Sequence, residues 1–126
     1  MQLTAEIIQK LESMVGPSFI FTDNETRNNY GHDETEDFVF PPNVVVKPSN
    51  TLEISEILKL ANQFKIPVVP IGARTGLSGG ALSVQGGIGL SMERFNKILH
   101  IDEQNLQVIT EPGVITQVLR EAVAEK

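Results

Sequence analysis

The chain has 126 residues, 40% of them apolar, which is enough for one domain with a core of its own. A net charge of −6 offers no basic surface to DNA, RNA or an anionic membrane, and the absence of cysteine removes disulfides, thiolate nucleophiles and zinc ribbons together. His32 and His100 have no partner at ligand spacing, which excludes a helical HExxH site and leaves no metal expected.

From the N-terminus, Thr4 is placed to cap a helix whose apolar residues Ile7, Ile8, Leu11, Met14 and Val15 recur at helical spacing, and Gly16-Pro17 stops it. Charged residues interrupt this segment, so it lacks the run of about 7 to 15 apolar residues of a signal peptide. No stretch approaches the ~18 apolar residues of a membrane span, and the chain reads as cytoplasmic. From Ser18 to Pro42 the sequence turns polar and irregular. Asp23, Glu25, Asp33, Glu34, Glu36 and Asp37 face only Arg27 there, which reads as a solvated acidic loop.

Val44 to Val46 is a β-branched run suited to a buried strand, and Asn50 with Glu53 three residues on has the form of a capping box. Ile54, Ile57, Leu58, Ala61 and Phe64 mark one face of the helix that follows, limited by Pro67, and Ile66 to Ile71 reads as a second strand. Strand, helix and strand make a βαβ unit, so PIGARTGLSGG, residues 70–80, leaves the carboxyl end of a strand, where α/β sheets bind their ligands. Strands are also expected at Ile88 to Met92, Lys97 to Ile101 and Leu106 to Thr110, with a hairpin turn over Asp102 to Asn105. A last helix follows Glu111-Pro112-Gly113, with Thr116 as its cap.

The glycine loop fits none of three familiar motifs. No lysine follows its glycines as a P-loop requires, and Gly72-Ala73-Arg74 breaks the spacing of a Rossmann fingerprint. Gly76 to Gly80 satisfies GxSxG, but no helix pattern follows Ser78, and His100 precedes Asp102 by only two residues, against the order of an α/β-hydrolase. What remains is a nest, in which glycine's tolerance of positive φ turns successive N–H groups onto an anion, and Thr75 and Ser78 hydroxyls add donors. A pyrophosphate suits it.

IPVVPIGARTGLSGG (66–80), LSMERFN (90–96), EPGV (111–114) and the Pro48-Ser49 helix start stand in one register. From about Tyr30 onward the chain resembles the FAD-binding domain of the FAD-linked oxidases, the p-cresol methylhydroxylase and vanillyl-alcohol oxidase type. Within that superfamily it is similar to the branch of glycolate oxidase and D-lactate dehydrogenase.

The resemblance implies an α/β (α+β) fold: the first subdomain of such a domain, a small mixed sheet with a βαβ unit and flanking helices. It divides the chain into a lead-in, 1–42, of helix and irregular acidic segment, and a subdomain, 43–126, truncated at its C-terminus. Ile71, Gly72, Ala73, Arg74, Thr75, Gly76, Ser78 and Gly79 would contact the FAD phosphates, and Pro112 and Gly113 would line the cofactor's path, with Glu111 a weaker candidate. Relatives that bond flavin covalently carry a histidine near Thr75, so FAD is expected to be held non-covalently. Many have glycine where Arg74 stands, and its side chain is expected to face solvent, the other option being a phosphate.

Full family members continue into a second FAD-binding subdomain and a substrate cap. The chain is therefore expected to be an N-terminal fragment, inactive alone and without a catalytic residue. Its parent would oxidise a 2-hydroxy acid such as glycolate or D-lactate by hydride transfer to FAD, with the electron acceptor open. The alternative is a stand-alone, non-catalytic dinucleotide-binding module.

Overall fold

The computed structural model describes residues 3–35 and 37–126. Helix α1 (Ala5–Val15) opens as expected, with Thr4 Oγ1 accepting the Ile7 N–H at 3.3 Å, and closes at Gly16, whose φ of +92° only glycine adopts freely. A 3-10 turn, Pro17–Phe19, then leads into strand β1 (Ile20–Phe21) and helix α2 (Asn24–Asn29). The segment expected to be irregular thus contains two elements. Both are too short for a periodicity signal, and both are anchored from outside: β1 pairs antiparallel with β2 (Val44–Val46), and Arg27 Nε donates to the Pro42 carbonyl at 2.8 Å.

The acidic stretch is solvated only in part. Asp23, Glu25, Glu34 and Asp37 are exposed, and Asp23 also caps α2 by accepting the Thr26 N–H at 2.8 Å. Asp33 is buried, with Oδ1 accepting the Thr35 N–H at 2.8 Å, and Glu36 lies outside the described residues.

Helix α3 (Thr51–Phe64) is capped by Asn50, whose Oδ1 accepts the Glu53 N–H at 2.9 Å. The Glu53 carboxylate accepts from the Asn50 side-chain amide at 3.5 Å, not from the Asn50 backbone N–H as a capping box would. Its shorter bonds come from the N–H and hydroxyl of Ser49, at 3.0 and 2.9 Å. Strands β3 (Val68–Ile71) and β4 (Ile88–Ser91) complete a four-stranded sheet of order β1-β2-β4-β3.

That order refines the βαβ expectation. The strands β2 and β3 flanking α3 do not pair, because β4 inserts between them, parallel to both, with Val45 and Val69 on either side of Gly89. Pro70 explains why β3 takes the edge: it has no N–H for a second neighbour. The three parallel strands end on one side of the sheet.

One face of the sheet, Val44, Val46, Ile88 and Leu90, is covered by Ile7, Leu11 and Val15 of α1 and by Ile57, Leu60 and Ala61 of α3. On the other face Pro42 and Ile71 crowd Gly89, where a Cβ would stand 2.9 Å from Pro42 Cγ. Burial on both faces is why β2 reads as an unbroken apolar run.

Beyond this sheet, β5 (Ile98–Asp102) and β6 (Gln107–Thr110) form the expected hairpin, and Asp102 closes its turn by accepting from the Asn105 N–H at 3.0 Å. Helix α4 (Thr116–Ala124) follows, but Thr116 is its first residue and Ile115 its cap position, with no side-chain hydrogen bond, so Thr116 does not cap it. No helix among the described residues is long and apolar enough to cross a membrane.

Candidate functional site

The parallel strands bring three sequence-distant segments to one edge. Lys47 follows β2, Gly72 to Arg74 follow β3, and Glu93 follows β4. Gly72 to Arg74 and Glu93 line a pocket of about 510 Å³ together with Tyr30, Asn96, Pro112 to Ile115 and Val118, and Lys47 is tied to it through its ion pair with Glu93. The size suits a nucleotide-scale ligand portion.

Of the residues singled out in the sequence, Gly72, Ala73, Arg74, Pro112 and Gly113 meet across this pocket. Thr75, Gly76 and Ser78 are exposed along the loop beyond its wall, with Gly79 half-buried beside them. Ile71 is fully buried, and its carbonyl accepts the Met92 N–H at 2.9 Å, so its side chain serves the sheet. Glu111 bridges within the protein, its Oε1 accepting the Lys97 N–H at 2.9 Å.

Two kinds of glycine occur here. A Cβ on Gly72 or Gly76 would meet nothing within 4 Å, so packing within the chain does not require glycine there, and the bare backbone opens onto free space. Such positions suit a ligand that approaches the main chain closely, as a pyrophosphate does. Gly113 is the opposite case. Its N–H donates to the Phe95 carbonyl at 2.6 Å, and a Cβ would stand 2.5 Å from that oxygen and 3.1 Å from Glu93 Cα. The EPGV turn therefore lies backbone to backbone on the LSMERFN turn, which joins two of the sequence motifs in one contact.

Charge at the pocket is arranged around Glu93. Its Oε1 accepts from the Tyr30 hydroxyl, from Ser91 Oγ at 2.8 Å and pairs with Lys47 Nζ at 3.1 Å. Burial pushes the Glu93 carboxyl up, but the hydrogen bonds from Tyr30 and Ser91 and the Lys47 ammonium outweigh it, leaving it below the ordinary glutamate value of 4.5. Burial likewise pushes Lys47 down, and Tyr30 and Glu93 outweigh that, leaving it above 10.5.

The signs fix a pH dependence. A depressed carboxyl contributes stability that is fully present above about pH 4.5, its ordinary value, and is lost as pH falls through the lower folded value. The difference in melting temperature between wild type and Glu93→Gln is expected to be largest near pH 6 and to shrink toward pH 3. A difference independent of pH would show that the charge of Glu93 does not hold the network together.

Sequence reading missed Tyr30, Glu93, Asn96, Val114, Ile115 and Val118 as pocket residues. For Glu93 a signal existed, since it closely follows a strand of the parallel sheet, at the end where ligands bind. Tyr30 had none, because only the fold brings it beside Glu93, 63 residues on.

Arg74 also departs from expectation. Its φ is +60°, in the left-handed region that favours glycine. Its side chain does not face open solvent: Nη1 donates to the Asn29 carbonyl, and the guanidinium lies 4.6 Å from the centroid of the Tyr30 ring.

A family model described as an FAD binding domain matches residues 42–126. Among curated proteins the chain is 37% identical over 124 residues to the glycolate oxidase protein GlcD of Bacillus subtilis, a match covering 98% of the chain and 26% of that protein. It is 38% identical over 115 residues to a D-lactate dehydrogenase of Anaerostipes hadrus, covering 90% of the chain and 24% of that protein. Among solved structures, p-cresol methylhydroxylase with bound substrate superposes with a TM-score of 0.82 at 25% identity, covering 95% of the chain and 24% of that structure. The chain thus spans about a quarter of the length of these proteins.

Proposed function

Because the chain belongs to the FAD binding domain family, we propose that it forms the phosphate-holding part of a non-covalent FAD site in an oxidoreductase acting on a 2-hydroxy acid of the glycolate or D-lactate type. One observation carries the site: the bare backbone of Gly72 and the turn at Pro112-Gly113 line one pocket, which Gly72 enters just past the carboxyl end of a parallel strand. The names of the relatives support the substrate class.

When bound, FAD supplies the hydride acceptor for the oxidation. The chain's own contribution is positional. Amides of the loop over Gly72 to Gly76, with the nearby Thr75 hydroxyl, would take up phosphate charge, and Pro112 to Val114 would shape the opposite wall. The Lys47–Glu93 pair is internally balanced, so it adds no net charge to the pocket and leaves anion recognition to the backbone.

Denaturing the purified full-length protein is expected to release flavin into the supernatant, and anaerobic addition of glycolate or D-lactate to the native protein is expected to bleach its absorbance near the flavin maximum. A colourless protein would remove the FAD reading. A yellow protein bleached by neither acid would keep FAD and remove the substrate class.

A further inference from the structure

Arg74 occupies a backbone conformation that disfavours a Cβ, in a loop where a Cβ added at Gly72, Gly76 or Gly80 would meet nothing within 4 Å. Past the end of β3 the loop is tied to the lead-in segment at two points. The Arg74 guanidinium donates to the Asn29 carbonyl and stacks on Tyr30, and two residues further the Gly76 carbonyl accepts the Glu34 N–H at 3.1 Å. Tyr30 is itself fixed, its hydroxyl on Glu93 and its ring 5.4 Å from the Lys47 ammonium.

We propose that Arg74 is a positioning residue, a strap that ties the glycine loop to Asn29 and Tyr30 and holds the Gly72 and Ala73 backbone ready for the phosphates of a dinucleotide without contacting them. The face of its guanidinium and one donor are already engaged by the lead-in. Ordering the loop beforehand removes an entropy cost that a glycine-rich segment would otherwise meet on binding. The strap rests on the FAD reading above.

The test is FAD affinity of the full-length protein, measured by flavin fluorescence, for wild type, Arg74→Gly, Arg74→Lys, Tyr30→Leu and the double variant Arg74→Gly/Tyr30→Leu, with melting temperatures of the flavin-free forms. The strap predicts that Arg74→Gly and Tyr30→Leu each weaken FAD roughly fivefold, the scale of an exposed cation–π contact. The double variant should be no weaker than about either single one, since both break the same contact. Arg74→Lys should weaken FAD as Arg74→Gly does, because an ammonium does not reproduce the planar stack. Arg74→Gly should leave the flavin-free melting temperature unchanged or raised, because glycine relieves the positive φ.

Retained affinity in Arg74→Lys, with Tyr30→Leu like wild type, would place the guanidinium on a phosphate and overturn the strap. Equal affinity of wild type and Arg74→Gly would overturn it as well. Wild type that binds no FAD would instead remove the reading on which it rests.

Discussion

Alanine at Gly113 is expected to lower the stability of the protein by about 1–3 kcal/mol, the range for overpacking, and to weaken FAD binding at least roughly tenfold. The atoms a Cβ would meet are the Met92 carbonyl oxygen, the Phe95 carbonyl oxygen at 2.5 Å and Glu93 Cα at 3.1 Å, and main chain does not yield as a flexible side chain does. Relief requires the EPGV turn to lift off the LSMERFN turn, which moves Pro112 to Ile115 away from the pocket and unsettles the Glu93 network. Gly72 provides the contrast. A Cβ there meets nothing within 4 Å, so Gly72→Ala should change flavin-free stability by no more than about 0.5 kcal/mol while still obstructing a ligand that packs on the main chain. Denaturant titration of the flavin-free forms and flavin titration of each variant measure both effects. If Gly72→Ala bound FAD as wild type does, the phosphates would not lie against that backbone.

Leu11→Ala is expected to cost about 2–5 kcal/mol, the largest effect of any single substitution considered. Leu11 is fully buried on α1, outside the residues matched by the family model, yet its side chain belongs to the cluster in which α1 and α3 cover one face of the sheet. A domain this small has a total stability of order 5–15 kcal/mol, so such a loss approaches unfolding. Leu77→Ala, in the glycine loop at 76% exposure, should fall within about 0.5 kcal/mol of wild type. Urea unfolding of the two variants checks the contrast. A loss below about 1 kcal/mol for Leu11→Ala would mean that α1 does not seal the sheet.

Much of the site was legible because its signals are local. Strand β3 running into a run of glycines and small residues identifies a loop with an exposed backbone, and comparison with other glycine motifs leaves a nest as its chemistry. The helices carried their own starts: Thr4 and Asn50 cap α1 and α3 from the sequence positions expected. The cap of α4 is not legible in this way because Thr116 and Ile115 differ by one position, and only the backbone angles, extended at Ile115, decide which of them lies outside the helix. Composition alone describes the acidic lead-in, and composition cannot distinguish the exposed Glu34 from the buried Asp33 beside it.

Legible in the amino-acid sequence were α1, α3, strands β2 to β6, the glycine loop and the family's motifs in register, but not β1, because caps, periodicity and glycine or proline act within a few residues of chain and two residues carry no period. Only long-range contacts set β4 between β2 and β3, Gly113 on the main chain of 92–95, Tyr30 in a hydrogen-bond network with Lys47 and Glu93, and Arg74 back onto Asn29 instead of outward. Each of these depends on contacts between segments tens of residues apart. They form only when burial of the apolar faces brings the segments together, and no local pattern encodes them.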